Sequence, residues 1–263
     1  MKCGLSTACF YPMKTDEALQ LICDQKVPSV EIFLNSFCEL EDDYLTLLKQ
    51  ILSRNGTRVC AIHPFTSMME PFFFSSMYDA RFWDGVELYK KYFHACSFLE
   101  APILVFHGDY KNTTYSFERY CKNYSILRKI GREYGVSLCQ ENVVRCKSGD
   151  PDMLLQLRQN TDDDVEFVFD LKQARRANIS FSKFWSVMDG KIRHLHLSDY
   201  ALSCDCLPPG TGLENWKEIF QTVNMERVSM VIELYRDGFE TIDQLIKATS
   251  FVNEFGCVKT PVK

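Results

Sequence analysis

Seven side chains able to hold a metal or move a proton stand where apolar runs end or turn polar: Glu31, His63, His107, Glu141, Asp170, His196 and Glu233. The densest stretch is Arg193-His194-Leu195-His196-Leu197-Ser198-Asp199, in which apolar and polar residues alternate. Period two places Leu195 and Leu197 on one side of a strand and His194, His196 and Ser198 on the other. Two imidazoles on one face of a buried strand, taken alone, are read as core histidines with satisfied hydrogen bonds. Three more apolar runs close on a carboxylate, however: Val136 to Glu141, Val165 to Asp170 and Val228 to Glu233. Carboxylates and an imidazole at successive strand ends form a constellation suited to binding a cation or transferring protons.

The elements that must position these groups alternate between two periods. Strand patterns are expected at Leu5 to Phe10, Val30 to Leu34, Thr57 to Ile62, Pro102 to Phe106, Val136 to Glu141, Val165 to Asp170, around His196, and at Val228 to Glu233. Helical spacing fills the gaps. It is clearest at Asp16 to Gln25, Ala80 to Leu99, Ser116 to Tyr134 and Thr241 to Phe255, with stops at Asn55-Gly56 and Gly135. Met69 to Met77 reads as an aromatic-rich loop. Near-continuous apolar strands alternating with helices indicate a parallel sheet buried on both faces. Eight such units predict closure into a (β/α)8 TIM barrel, an α/β fold, as a single domain over residues 1–263. An open doubly wound sheet is the second choice, but no Gly-x-Gly-x-x-Gly follows the first strand.

Composition supports this reading. The chain has 263 residues, 46% of them hydrophobic, and no Pro/Gly/Ser-rich linker divides it. Thirty basic residues against 35 acidic ones give a net charge of -5, with the two signs interspersed. Nucleic-acid binding normally needs a basic face, so no nucleic-acid partner is expected. No apolar run approaches the length of a membrane span, and Met1-Lys2-Cys3-Gly4 leads straight into a strand, so a cytoplasmic protein is expected. Its 12 cysteines are then reduced thiols. The Cys204-Asp205-Cys206 pair reads as loop thiols rather than half a metal site.

In a barrel of this kind the strand ends converge on one mouth, where the catalytic groups of the fold sit. Several carboxylates around one point repel each other unless a cation lies among them. A divalent metal is therefore expected, and oxygen and nitrogen ligands without thiolate suit Mn, Mg, Co, Fe or Zn.

Glu141, Asp170, His196 and Glu233, together with Val30-Glu31-Ile32, His107-Gly108, Gln140-Glu141-Asn142, His194-x-His196-x-x-Asp199 and Pro209-Gly210-x-Gly212, give a family likeness. The sequence resembles the xylose isomerase-like TIM barrel superfamily, and most of all its sugar phosphate isomerase/epimerase branch of inosose dehydratases, ketose 3-epimerases and hydroxypyruvate isomerases. The resemblance covers essentially the whole chain. It implies that Glu141, Asp170, His196 and Glu233 ligate one divalent metal. It also implies that Glu141 and Glu233 are the catalytic carboxylates, moving a proton at the carbon beside a carbonyl of a small carbohydrate. His63, His107, Gln173 and Glu31 are the expected substrate-binding groups.

The likeness has departures. Many relatives have a histidine three residues beyond the strand-six aspartate; here Gln173 stands there, able to hydrogen-bond but not to titrate near neutrality. The arginine of ketose 3-epimerases after the strand-seven histidine is missing, Tyr200, Ala201 and Leu202 occupying that region. Both changes tell against a ketose 3-epimerase. An apurinic endonuclease-like phosphodiesterase is the alternative in a second enzyme class: His63, His107 and Glu141 match its first-metal ligands in order. Gln173 and Cys206-Leu207-Pro208 then break the match. A non-catalytic barrel binding a metal and a sugar is the third reading.

Several other groups have two readings each. Phe72-Phe73-Phe74 forms either an aromatic lid or packing on the outer helices or on another subunit of a homo-oligomer. Lys172, Arg175 and Arg236 read as solvated surface charge, and Gly210-Thr211-Gly212 marks a loop where barrels often bind phosphate.

Overall fold

A computed structural model describes residues 2–224 and 227–257. The strands run in chain order as β1 (Gly4–Ser6), β2 (Ser29–Leu34), β3 (Arg58–Pro64), β4 (Ile103–Phe106), β5 (Ser137–Glu141), β6 (Glu166–Asp170), β7 (Ile192–Leu197), β8 (Asp199–Ala201), β9 (Cys204–Leu207) and β10 (Ser229–Ile232). All but β8 and β9 pair in parallel and close a barrel in the order β1-β10-β7-β6-β5-β4-β3-β2. The expected (β/α)8 barrel is the fold of the protein.

Period-two alternation sorts the side chains between two cores. Leu195 and Leu197, with Phe106, Phe167 and Phe169, face outward into a large cluster shared with the helices. Inward-facing Ala61, Ile103, Val105, Cys139 and Val168 make a smaller cluster of their own. Two residues beyond Ala61, Val105, Cys139 and Val168 come His63, His107, Glu141 and Asp170. The barrel interior is thus apolar in its lower layer and polar at the C-terminal mouth, and each strand supplies both layers by its pleat alone.

The helices are α1 (Thr15–Asp24), α2 (Asp42–Asn55), α3 (Glu70–Phe74), α4 (Asp79–Phe98), α5 (Phe117–Glu133), α6 (Pro151–Asn160), α7 (Leu171–Arg176), α8 (Phe181–Met188), α9 (Trp216–Thr222) and α10 (Ile242–Cys257). Their ends follow local chemistry. Gly56 closes α2 at φ +70, and Ser116, Asp150 and Ser180 accept backbone N–H bonds at the starts of α5, α6 and α8.

Three local expectations are corrected. The first strand stops at Ser6, whose hydroxyl accepts from Ala8 N (3.2 Å) and turns Thr7–Phe10 into a 3-10 helix. Met69 to Met77 is not a loop throughout: Pro71 at the first turn of α3 suits a helix start, so Glu70–Phe74 is helical. After β7 the chain forms the antiparallel hairpin β8–β9, which puts Cys204 and Cys206 on a strand. A cavity of about 850 Å³ opens at the N-terminal end, beside Ser29, Arg58, Ile103 and Ser229, and includes none of the mouth residues.

Candidate metal and catalytic centre

Strand register brings the four expected ligands together. Asp170 and His196 are direct partners across β6 and β7, and His196 lies opposite Val231, so Glu233 follows one pleat higher. His196 Nδ1 lies 3.6 Å from Glu141 Oε1, 3.7 Å from Asp170 Oδ2 and 3.5 Å from Glu233 Oε2. Asp170 Oδ2 and His196 Nδ1 are buried with no hydrogen bond. The other imidazole nitrogen, Nε2, lies 2.9 Å from Glu31 Oε2, and since a carboxylate only accepts, Nε2 carries a proton and Nδ1 is the nitrogen that can turn a lone pair to a cation. The carboxylates of Glu141 and Asp170 around this nitrogen, with Glu233 Oε2 beside it, repel one another unless positive charge lies among them, so the residues present fit a divalent cation. Glu141, Asp170 and His196 lie close enough to share one ion.

The Gln140-Glu141-Asn142 run explains why this arrangement is held. Gln140 Nε2 donates to the carbonyls of Phe106 (3.1 Å) and His107 (2.8 Å) at the end of β4, and Tyr120 donates to Gln140 Oε1 (2.5 Å). Asn142 bonds the backbone of Asp170 in both directions, through its Nδ2 (3.0 Å) and Oδ1 (2.7 Å). The two amides flanking Glu141 therefore lock the neighbouring strand ends at its own height. Glu70, which no motif in the sequence marks, accepts from His107 N (2.8 Å), Gly108 N (2.5 Å) and Tyr89 OH (2.5 Å) and fixes the turn after β4.

A second group, His63, His107 and Glu141, also converges. His107 Nε2 is 2.8 Å from Glu141 Oε2 and 3.1 Å from His63 Nε2. Arg145 Nη2 lies 3.1 Å from His107 Nδ1, and a guanidinium only donates, so Nδ1 accepts and His107 Nε2 bears the proton. His63 Nδ1 faces its neighbour's carbonyl, Pro64 O, at 3.3 Å. With these tautomers Arg145 donates to His107 and His107 to His63, while Glu141 Oε2 lies 2.8 Å from His107 Nε2 with no hydrogen bond of its own.

Glu31 lies below the mouth, in mid-strand, where its carboxylate meets His196, Ser6 Oγ (3.0 Å) and His194 Nε2 (3.3 Å). His194 in turn pairs with Ser229 Oγ at 2.7 Å. Asp170 Oδ1 caps α7 by accepting from Gln173 N (2.8 Å), and Gln173 Oε1 accepts from Val144 N (3.1 Å), tying the loop after β5 to α7.

Other expectations are corrected by packing. Lys172 is buried rather than solvated: Nζ lies 3.2 Å from Glu233 Oε2 and 3.5 Å from Asp170 Oδ2. A lysine in the first turn after a strand-end aspartate gives no local sign of burial. Arg175 clamps the β8–β9 hairpin, bonding Ser198 Oγ (2.6 Å) and Glu214 (2.5 Å). The amides of Gly210 and Gly212 both donate to Asp199 Oδ2 at 3.0 Å, so this loop's donors are already engaged. Gly212 is required there, because a Cβ would lie 2.2 Å from Tyr200 O. Phe74 packs edge-on against Phe82, Tyr89 and Phe106 in the outer core, which rules it out as a lid, while Phe72 stacks on Arg81.

A family model described as xylose isomerase-like TIM barrel matches residues 22–254. The chain belongs to that family. A comparison with curated proteins finds no sequence match. Among solved structures, the fold is similar to a D-tagatose 3-epimerase-like protein, with 19% identity, TM-score 0.78 and 97% of each chain covered. It is also similar to the IOLI protein with a bound zinc atom, at 16% identity, TM-score 0.77 and 100% of each chain. A third likeness is to the probable 3-DHS dehydratase AsbF of Bacillus anthracis, at 12% identity and TM-score 0.77, covering 96% of this chain and 98% of that one.

In this family member the electrostatics of the mouth bind its groups to one another. Burial drives the Glu141 carboxyl pKa up, but His107, His196 and His63 outweigh it and hold the acid well below its usual range. Glu31 behaves likewise: burial is opposed first by His196 and then by His194, and the net shift is strongly downward. Burial disfavours charge on His196, yet Glu31 and Glu233, followed by Asp170 and Glu141, raise it well above an ordinary imidazole. For His107 and His194 burial prevails and the imidazole pKa falls. The sum is a nest of ionised carboxylates with a strong demand for positive charge.

Proposed function

We propose that the chain is a divalent-metal-dependent isomerase or epimerase of a small sugar, sugar phosphate or polyol-derived ketone, working by proton transfer beside a carbonyl. The observation that carries this reading is the approach of Glu141, Asp170 and Glu233 to a single nitrogen, His196 Nδ1, within 3.5–3.7 Å at the barrel mouth. Glu141, Asp170, His196 and Glu233 would hold the ion. Bound there, the ion would supply Lewis acidity that polarises a carbonyl and acidifies the neighbouring C–H bond.

The protein's own residues do the rest. Glu141 on β5 and Glu233 after β10 reach the mouth from separate strands of the closed barrel, so a substrate lying between them meets a carboxylate on each side. One carboxylate removes the carbon-bound proton, giving an enediolate, and a proton returned from the other side inverts the carbon; return from the same side to the adjacent carbon, with the hydroxyl proton passing from one substrate oxygen to the other, isomerises it. His107, protonated on Nε2 and 2.8 Å from Glu141 Oε2, would turn that proton to a substrate oxygen, and Arg145 keeps that tautomer in place. Glu31 fixes the His196 ring from below. Gln173 and His63 would contribute hydrogen bonds to the substrate. The likeness to a D-tagatose 3-epimerase-like protein and to a probable 3-DHS dehydratase supports a small polyhydroxy carbonyl substrate.

The phosphodiesterase reading would use His63, His107 and Glu141 as a further metal site. The proton that Arg145 directs onto His107 Nε2 disfavours it. The test is metal analysis followed by a panel of ketoses, inososes, hydroxypyruvate and sugar phosphates in deuterium oxide, read by NMR. Deuterium entering one substrate carbon in the metal-loaded protein is expected; no exchange across the panel would leave only the binding-protein or hydrolytic readings.

A further inference from the structure

The fold carries Lys172, a charge expected at the surface, into the centre. Its side chain is 3% exposed, and Nζ approaches Glu233 Oε2 at 3.2 Å and Asp170 Oδ2 at 3.5 Å. These are the same two oxygens that face His196 Nδ1. The Tyr235 ring, 4.6 Å from Nζ, backs the ammonium on its other side.

We propose that Lys172 is a built-in cation that competes with the divalent ion for Asp170 and Glu233, so that the ion is held exchangeably and the repulsion among the carboxylates is partly relieved when the ion leaves. This rests on the metal-dependent reading above and adds a control on occupancy to it. The reasons are electrostatic. Three carboxylates crowded around His196 Nδ1 repel one another, and an ammonium touching two of them relieves part of that repulsion without any ion. Once a divalent ion engages the same oxygens, two cations share them, and each weakens the hold of the other. Three carboxylates and one ammonium leave a residual charge that a single divalent ion neutralises in full, so the lysine lowers the affinity for the ion without abolishing the site. Burial magnifies both effects, because little water screens the pocket.

The experiment is calorimetric titration of metal-stripped protein with Mn²⁺, without substrate, for wild type, Lys172→Met and Lys172→Gln. Both variants should bind Mn²⁺ about tenfold or more tightly than wild type, each factor of ten corresponding to about 1.4 kcal/mol. The stripped variants should also melt below stripped wild type and recover on Mn²⁺ loading. Glutamine keeps much of the length and the hydrogen bonds of the lysine without its charge, and it carries the test if the methionine variant does not fold. In Lys172→Ala, added ethylammonium should weaken Mn²⁺ binding competitively, an effect that a purely structural lysine would not give. Mn²⁺ affinity unchanged or weaker in the uncharged variants overturns the proposal, as does no Mn²⁺ binding by any of the proteins. Tighter binding in a protein that exchanges no substrate proton would keep the competition and remove the isomerase reading alone.

Discussion

At the scale of single residues, the centre separates groups that meet the reacting atoms from groups that hold them. Glu141 and Glu233 are assigned proton transfer, and a placed general base contributes about 10²–10⁴-fold. Glu141→Gln and Glu233→Gln should therefore each lower deuterium exchange and turnover by about that factor while the far-UV spectrum and melting cooperativity are kept. Wild-type rates in both, at full metal content, would remove these residues from the chemistry. Glu31 acts one layer deeper. Its contact with His196 Nε2 orients the ring whose Nδ1 faces the carboxylates, and the loss of such a supporting carboxylate typically costs about 10–100-fold in metal affinity. Glu31→Gln should show that loss in a Mn²⁺ titration, with the substrate KM at saturating Mn²⁺ little changed. If Glu31 instead binds substrate directly, as the sequence led us to expect, KM will rise and Mn²⁺ affinity will hold.

At the scale of elements, the loop between β8–β9 and α9 is anchored by one carboxylate. Asp199 accepts from Tyr200 N (2.8 Å), Gly210 N and Gly212 N (3.0 Å each), Glu214 N (2.9 Å) and Trp216 Nε1 (2.9 Å). Burial raises its pKa, but the bonds from Trp216, Glu214, Tyr200 and Gly212 together prevail, and the net shift is downward. A carboxyl with a depressed folded pKa stabilises the fold fully above its unfolded value and loses that stabilisation as pH falls through the folded value. Asp199→Asn should accordingly cost about 3 kcal/mol near neutral pH. The gap in melting temperature to wild type should begin to close below about pH 4, the ordinary aspartate range, and vanish only at still lower pH, beneath the depressed folded value. A gap that persists unchanged into acid would show that shape, not charge, is what Asp199 contributes. The His194-x-His196-x-x-Asp199 and Pro209-Gly210-x-Gly212 motifs thus have a joint cause, since one supplies the carboxylate and the other the amides that it binds.

At the scale of the whole molecule, closure of the barrel buries most of the sulfur. Of the cysteines from Cys3 to Cys206 only Cys38 is exposed, with Cys204 part-way, and none of them is in a disulfide. Burial pushes the thiols of Cys3, Cys60, Cys96, Cys139 and Cys146 upward, away from the reactive thiolate. Labelling of the native protein with a chromogenic disulfide should show Cys38 reacting first, and Cys38→Ser should remove that phase. The buried set should follow only on unfolding. Rapid labelling of several thiols in Cys38→Ser would mean that the barrel opens readily. No helix among the described residues is long and apolar enough to cross a membrane.

Local sequence was enough to decide the pleat and its punctuation. Apolar runs ending in Glu141, Asp170 and Glu233, and the alternation through His194 and His196, decide which side of each strand faces inward, because that choice depends only on neighbours two residues apart. The barrel, and the strand ends on which Glu141, Asp170, His196 and Glu233 stand, were legible for that reason, and the family likeness added their order. Long-range packing decided which distant groups meet. Glu31 and His196 are 165 residues apart in the chain, and only closure of β1 between β2 and β10 brings their side chains to 2.9 Å. Lys172 has no local signature of burial, since a cation one turn into a helix is ordinarily solvated; the two carboxylates that draw it inward come from α7's own start and from the end of a strand 61 residues away. Coulomb attraction acts through space and not along the chain, so its partners become visible only when the strands are laid side by side.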